Sequence, residues 1–192
     1  MKICLIAFLL ATISAAAQTD PAAPPAHTFR DTHHGVSFQI PAGWNFSRKD
    51  SDISTFNLDA RTAPHNAQMR AVATIAFNPF PASTFSGAIF YFSVTPHTTE
   101  AECRAQAPGA VSAVPIDGVS FTRGHDEHGT ICIEARNEIY TVQRTNSCYR
   151  FDLVINTFCG GEVSGVRDIT PQQIDAVRKR LESILNTVRF DR

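Results

Sequence analysis

"EIYTVQRTNSCYRFDLVINTF", residues 138–158, decides the fold class. Two runs rich in aromatic and β-branched residues flank Thr145–Asn146, which reads as an antiparallel hairpin. With Thr145 and Asn146 as the loop, Tyr149 faces Val142 and Phe151 faces Tyr140. That register sets aromatic rings against aromatic or β-branched partners. Along the second run, Tyr149, Phe151, Leu153 and Ile155 share one face, and Arg150, Asp152 and Asn156 share the other. One side is expected to be core, and the other wet or only partly covered.

The chain of 192 residues opens with Lys2 and an apolar run from Ile3 to Ile13, followed by Ala15 and Ala17. A positive start, a short apolar core and small residues at the −3 and −1 positions predict a signal peptide over residues 1–17, cleaved after Ala17. The run is shorter than the ~20 residues a membrane span needs, and nothing after Cys4 matches a lipoprotein pattern. No transmembrane anchor is expected, and export to the periplasm or medium is. Pro21, Pro24 and Pro25 then mark residues 18–27 as an extended tether, leaving residues 28–192 as one domain. The net charge of −1 and the lack of a Lys/Arg run argue against nucleic acid as a partner.

Beyond the leader stand Cys103, Cys132, Cys148 and Cys159. An even set in an exported chain reads as two disulfides. Extending the hairpin register brings Cys159 opposite Cys132 and leaves Cys103 for Cys148. A Cys148–Cys159 bond is disfavoured, because the strand between them spans over ~30 Å and bridged Cα atoms lie within about 7 Å. A bulge would shift this register and reopen the pairing. A zinc site is the rival reading, but the spacing contains no C-x-x-C pair.

Working outward, "VSFQI" (36–40) alternates and stops at Pro41, and "PAGW" follows as a turn that leads to a buried Trp44. "STFNLDA" (54–60) alternates weakly. "MRAVATIAFN" (69–78) and "GAIFYFSVTP" (87–96) are near-continuously apolar, as strands covered on both faces are. "TTEAECRAQA" (98–107) predicts a helix capped by Thr98 or Thr99 and ended by Pro108-Gly109. "GVSFTRG" (118–124) and "TICIEARNEIYTVQR" (130–144) are further strands. "CGGEVSG" (159–165) reads as a loop and a place for variable recognition. Thr170, Pro171 and Gln173 begin a final helix with a capping box. Its stripe is Ile174, Val177, Leu181, Ile184, Leu185 and Val188, with Arg178, Lys179, Arg180 and Glu182 mostly off it. Strands and helices in this order predict an α+β fold, a largely antiparallel sheet covered by helices.

"GVSFQIPAGW" at the start and "RKRLESILNTVRF" at the end resemble the bookends of PsbP-like domains. That family, named for an extrinsic photosystem II subunit, opens with a strand, Pro-x-Gly-Trp and another strand. It closes with a helix running into an apolar-aromatic tail, here Val188 and Phe190. The resemblance implies an α/β/α sandwich and a non-enzymatic role. It transfers no site residue, and the cysteines lie outside the family's pattern, which marks a divergent, disulfide-containing branch.

"GHDEHG" (124–129) is the densest cluster of chemistry-bearing residues. Read as a loop between strands, it lets His125 and His128 converge on zinc, nickel or copper beside Asp126 and Glu127. Its flanking glycines fit a solvated hairpin turn equally well. In "DTHHG" (31–35), His33 and His34 are adjacent and read as a surface turn. G-x-S-x-G, S-x-x-K and H-E-x-x-H are all missing from the sequence, and no phosphate-cradling loop stands between strand and helix. No cofactor is implied. The leading expectation is an exported, non-catalytic binding domain for a protein partner or small ligand. A metal-binding protein using His125 and His128, or a carrier of an apolar ligand, are the alternatives. The carrier reading starts from Phe46, Phe56, Phe77, Phe90, Phe92 and Phe151, whose commoner use is to fill a core.

Overall fold

The structure is a computed structural model, described here for residues 22–49, 56–109, 112–130, 132–158, 160 and 165–191. The expected leader, Cys159 and most of the 159–165 loop lie outside the described residues.

Ten strands and three helices form among them: β1 His27–Asp31, β2 Val36–Ile40, β3 Trp44–Ser47, α1 Phe56–Asp59, β4 Gln68–Ile75, β5 Phe85–Pro96, α2 Glu100–Ala105, β6 Ser112–Ile116, β7 Val119–Thr130, β8 Ile133–Arg144, β9 Ser147–Phe158, α3 Pro171–Leu185 and β10 Arg189–Phe190. A seven-stranded antiparallel sheet runs β3-β4-β5-β9-β8-β7-β6, and a second sheet runs β1-β2-β10. The fold is α+β.

The β8–β9 register is Tyr140↔Phe151 and Val142↔Tyr149, as the side-chain pairing predicts. Thr145 and Asn146 both take positive φ, 48° and 62°, the backbone that matches a two-residue turn to twisted strands. The register runs on to Ile133↔Phe158, one step short of Cys132. Cys103 and Cys148 are joined by a disulfide, Cα–Cα 5.1 Å, which ties α2 to β9.

Both faces of the large sheet are covered over its central strands. On one, Phe90, Phe92 and Phe151 meet Phe29 and Phe38 of the small sheet and Val177, Leu181, Ile184 and Leu185 of α3. Helix α3 carries the predicted capping box, Thr170 with Gln173. Burying each large apolar side chain of its stripe contributes about 1.5–3 kcal/mol. Trp44 is buried, and the φ of +85° at Gly43 makes the turn before it. Of the six phenylalanines that suggested a carrier, Phe56, Phe90, Phe92 and Phe151 fill the interior, whereas Phe46 is only half-buried and Phe77 is 43% exposed.

On the other face lie α1, α2 and the segments that follow them. Here the expectation of a wet face for Arg150 and Asp152 is wrong: both are fully buried. Arg150 Nε donates to both Asp152 oxygens at 3.0 and 2.9 Å, its Nη2 donates at 2.6 Å, and its Nη1 reaches the Gln106 carbonyl at 2.9 Å. Asn137 Nδ2 donates to Asp152 at 2.7 Å. Buried charges persist when they are paired and hydrogen-bonded, and the chain after α2 supplies the missing acceptor.

Three further expectations change. Residues 56–59 form a turn of helix, because Phe56 docks beside Tyr91, Val72 and Val154. The tether ends earlier than expected: His27 begins β1, and the Pro24 carbonyl accepts from the Gly43 N–H. Strand β6 is an added element, joined to β7 by Asp117-Gly118 at positive φ.

Candidate functional site

The "GHDEHG" segment lies within strand β7, where Gly124 to Gly129 pair in register with Ile139 to Glu134 of β8. It is not a loop. Strand residues three apart point to opposite faces, so His125 and His128 do not converge. His128 Nε2 lies 2.9 Å from the Leu58 carbonyl, and its Nδ1 lies 3.1 Å from Asp126. Arg61 grips Asp126 with two bonds of 2.6 and 2.7 Å. The Arg61 bond, with His128 beside it, holds the Asp126 carboxyl below the ordinary carboxylate range against the opposing effect of burial. These contacts fasten the α1 segment to the sheet. Gly124 serves a close approach: a Cβ there would stand 2.3 Å from the Pro108 carbonyl oxygen. Among the described residues no three His, Cys, Asp or Glu side chains gather where they could hold a metal.

On the opposite face, beside α3, β7 and β8 carry a polar strip. Its residues are Arg123, His125 and Glu127 on one strand and Glu134, Arg136 and Glu138 on the other. Glu138 is its hub, accepting from Arg123 Nε at 2.9 Å and facing Arg178 Nε of α3 at 2.8 Å. Arg178, expected mostly off the helix's packing side, thus reaches the sheet. Tyr140 OH donates to Glu138 at 3.3 Å; burial and then that carboxylate push the phenol up to about 12. Burial works to lower the Arg123 pKa, but the bond to Glu138 together with the charges of Tyr140, Glu138 and Glu182 outweighs it, so the net shift is upward. Arg136 binds Glu134 and Thr157 at 2.6 and 3.2 Å. Beyond Arg136 a depression of about 500 Å³ reaches Phe158, Ile169 and Ile174. The strip is partly exposed, with Arg123 and Arg178 flanking a mostly buried Glu138, and it carries paired charges of both signs.

A third cluster was not read from the sequence. Asp31 is buried and accepts from Arg70 Nε at 2.9 Å, with His34 Nδ1 also 2.9 Å away. The backbone N–H groups of His33 and His34 donate to its other oxygen at 3.1 and 3.3 Å. Burial works to raise this carboxyl, but Arg70 and His34 prevail and hold it at about 2. Tyr149 OH donates to the His34 carbonyl at 3.0 Å. Residues 32–35 do form a turn, and this cluster pins it to β4 and β9. The signal for it was Arg70, a lone charge inside an apolar strand.

Among the described residues no helix is long and apolar enough to cross a membrane. No protein-family model matches the sequence, and no curated protein does. Solved structures similar in shape include the following two. The solution structure of cyanobacterial PsbP (CyanoP) from Synechocystis sp. PCC 6803 has 10% identity and a TM-score of 0.48, over 93% of this chain and 99% of that one. A crystal structure from Bacteroides thetaiotaomicron VPI-5482 has 8% identity and a TM-score of 0.44, over 86% of this chain and 48% of that one.

Proposed function

We propose that this chain is an exported, non-catalytic binding domain of a PsbP-like, disulfide-containing branch, and that its polar β7–β8 strip receives a protein partner. The observation that carries the reading is the pairing of Glu138 with both Arg123 and Arg178. It presents a fixed, two-signed charge pattern to solvent, which favours specificity in association. The Cys103–Cys148 disulfide suits an oxidising compartment. The Asp126 and His128 side chains are engaged in fastening α1, which leaves them poor reagents for metal or acid–base chemistry.

The test is isolation of the natively expressed protein from the cell envelope, with N-terminal sequencing and assay over a broad hydrolase and transferase panel. The proposal expects a mature start at Gln18 and no turnover. A chain retaining Met1, or turnover that follows the protein through stringent purification, overturns it.

A further inference from the structure

A second recessed surface lies on the other side of the sheet, where α2 covers β9 and β8 but leaves β7 open. There a polar cleft of about 280 Å³ runs between the flank of α2 and the two strands. Glu100 and Arg104, one helical turn apart and exposed, form its wall. Ser120 and Thr122 of β7 with Thr141 and Gln143 of β8 form its floor. The disulfide at Cys103 holds the wall in place.

Thr141 is the informative residue. It is 1% exposed, and its Oγ1 has no hydrogen-bond partner. Buried hydroxyls are nearly always bonded, so an unpartnered one at the base of a cleft asks for a group from outside. Thr141 stands between Thr122 and the buried Arg150 in the cross-strand row. The floor is therefore polar from its open end to its closed end.

We infer that this cleft binds a small neutral polyol of about monosaccharide size. Three hydroxyls each donate and accept, Glu100 accepts and Arg104 donates; the Gln143 amide already donates to the Thr98 carbonyl at 3.3 Å and offers its oxygen and its second N–H. Neighbouring hydroxyls of a sugar present the same mixture, and a carboxylate or a guanidinium can engage two of them at once. The opposite charges of the wall cancel, so neither a phosphate nor a cation is favoured over neutral hydroxyls. No aromatic side chain lines the cleft to stack on a sugar ring, so binding is expected in the millimolar range. The cleft lies across the sheet from the β7–β8 strip, and neither assignment depends on the other.

The test is a titration of the disulfide-intact chain with methyl α-glucoside and with myo-inositol, following backbone amide shifts. Sodium glucuronate and inorganic phosphate serve as charged probes. The expected result is saturable shifts confined to α2, residues 119–123 and residues 141–143 with the neutral probes. Thr141→Val keeps the side-chain shape and should weaken binding about tenfold, the worth of one lost hydrogen bond. Thr122→Val, at a half-exposed position, should weaken it without disturbing the fold. No saturable shift, stronger binding of the charged probes, or unchanged affinity in both variants overturns the inference.

Discussion

Replacing Asp152 by Asn tests the buried pair that seats α2 on the sheet. The substitution keeps the side-chain shape but removes the charge facing Arg150, which is wholly enclosed. Three donor contacts from Arg150 and one from Asn137 converge on the carboxylate. In the variant the guanidinium keeps only an amide oxygen and the Gln106 carbonyl. Breaking a buried pair by removing one partner costs about 3–5 kcal/mol, against a total domain stability of roughly 5–15 kcal/mol. For a domain of this size that is a fall in melting temperature of roughly 6–20 °C. Arg150→Met with Asp152→Leu removes both charges and should lie closer to the native protein, since replacing a buried pair by apolar groups is often neutral. Gln106 O would retain Thr62 Oγ1 at 3.1 Å, and Asn137 Nδ2 would retain the Asp59 carbonyl at 3.3 Å. Thermal and urea unfolding with disulfides intact measures all three proteins. An Asp152→Asn variant within about 1 kcal/mol of native, or a double variant less stable than the single one, refutes the assignment.

Three other outcomes are expected. Asp31, with its carboxyl held at about 2, contributes stability that is fully present above its ordinary value of 3.8 and is lost as pH falls toward 2; Asp31→Asn should flatten that part of the urea-midpoint profile, a change of roughly 2 kcal/mol. Cys103→Ala with Cys148→Ala opens a loop of 45 residues' separation, and the chain-entropy relation gives a loss of about 4 kcal/mol, read by urea unfolding. Zinc titrated calorimetrically into the native protein and into His125→Ala/His128→Ala should give the same isotherm, because the two rings face opposite sides of β7.

Short-range pairing was legible from the sequence. The β8–β9 register follows from which side chains oppose each other across Thr145–Asn146, and α3 from one apolar stripe behind a capping box. The second face was not legible. Arg150 and Asp152 alternate with Tyr149, Phe151 and Leu153 as solvent-facing residues do, and what buries them comes from far along the chain, Gln106 lying 44 residues away. Similarly, Gly124 and Gly129 made residues 124–129 look like a turn, whereas Gly124 lets Ala107 and Pro108 cross the strand closely. The Asp117-Gly118 step between "SAVPI" and "VSF" is a hairpin signal that was present and went unread. Neither proposed surface was legible: residues 124–129 read as a loop, and the hub role of Glu138 needs Arg178 from the last helix.

The most direct test of the binding assignment is site-specific photo-cross-linking in the native cell envelope. A photoreactive residue placed at Glu127, on the strip, should capture a discrete partner. The same residue at Leu58, which is 68% exposed near the opposite face, should not. A product from Leu58 alone, equal products from both positions, or none from Glu127 contradicts the account.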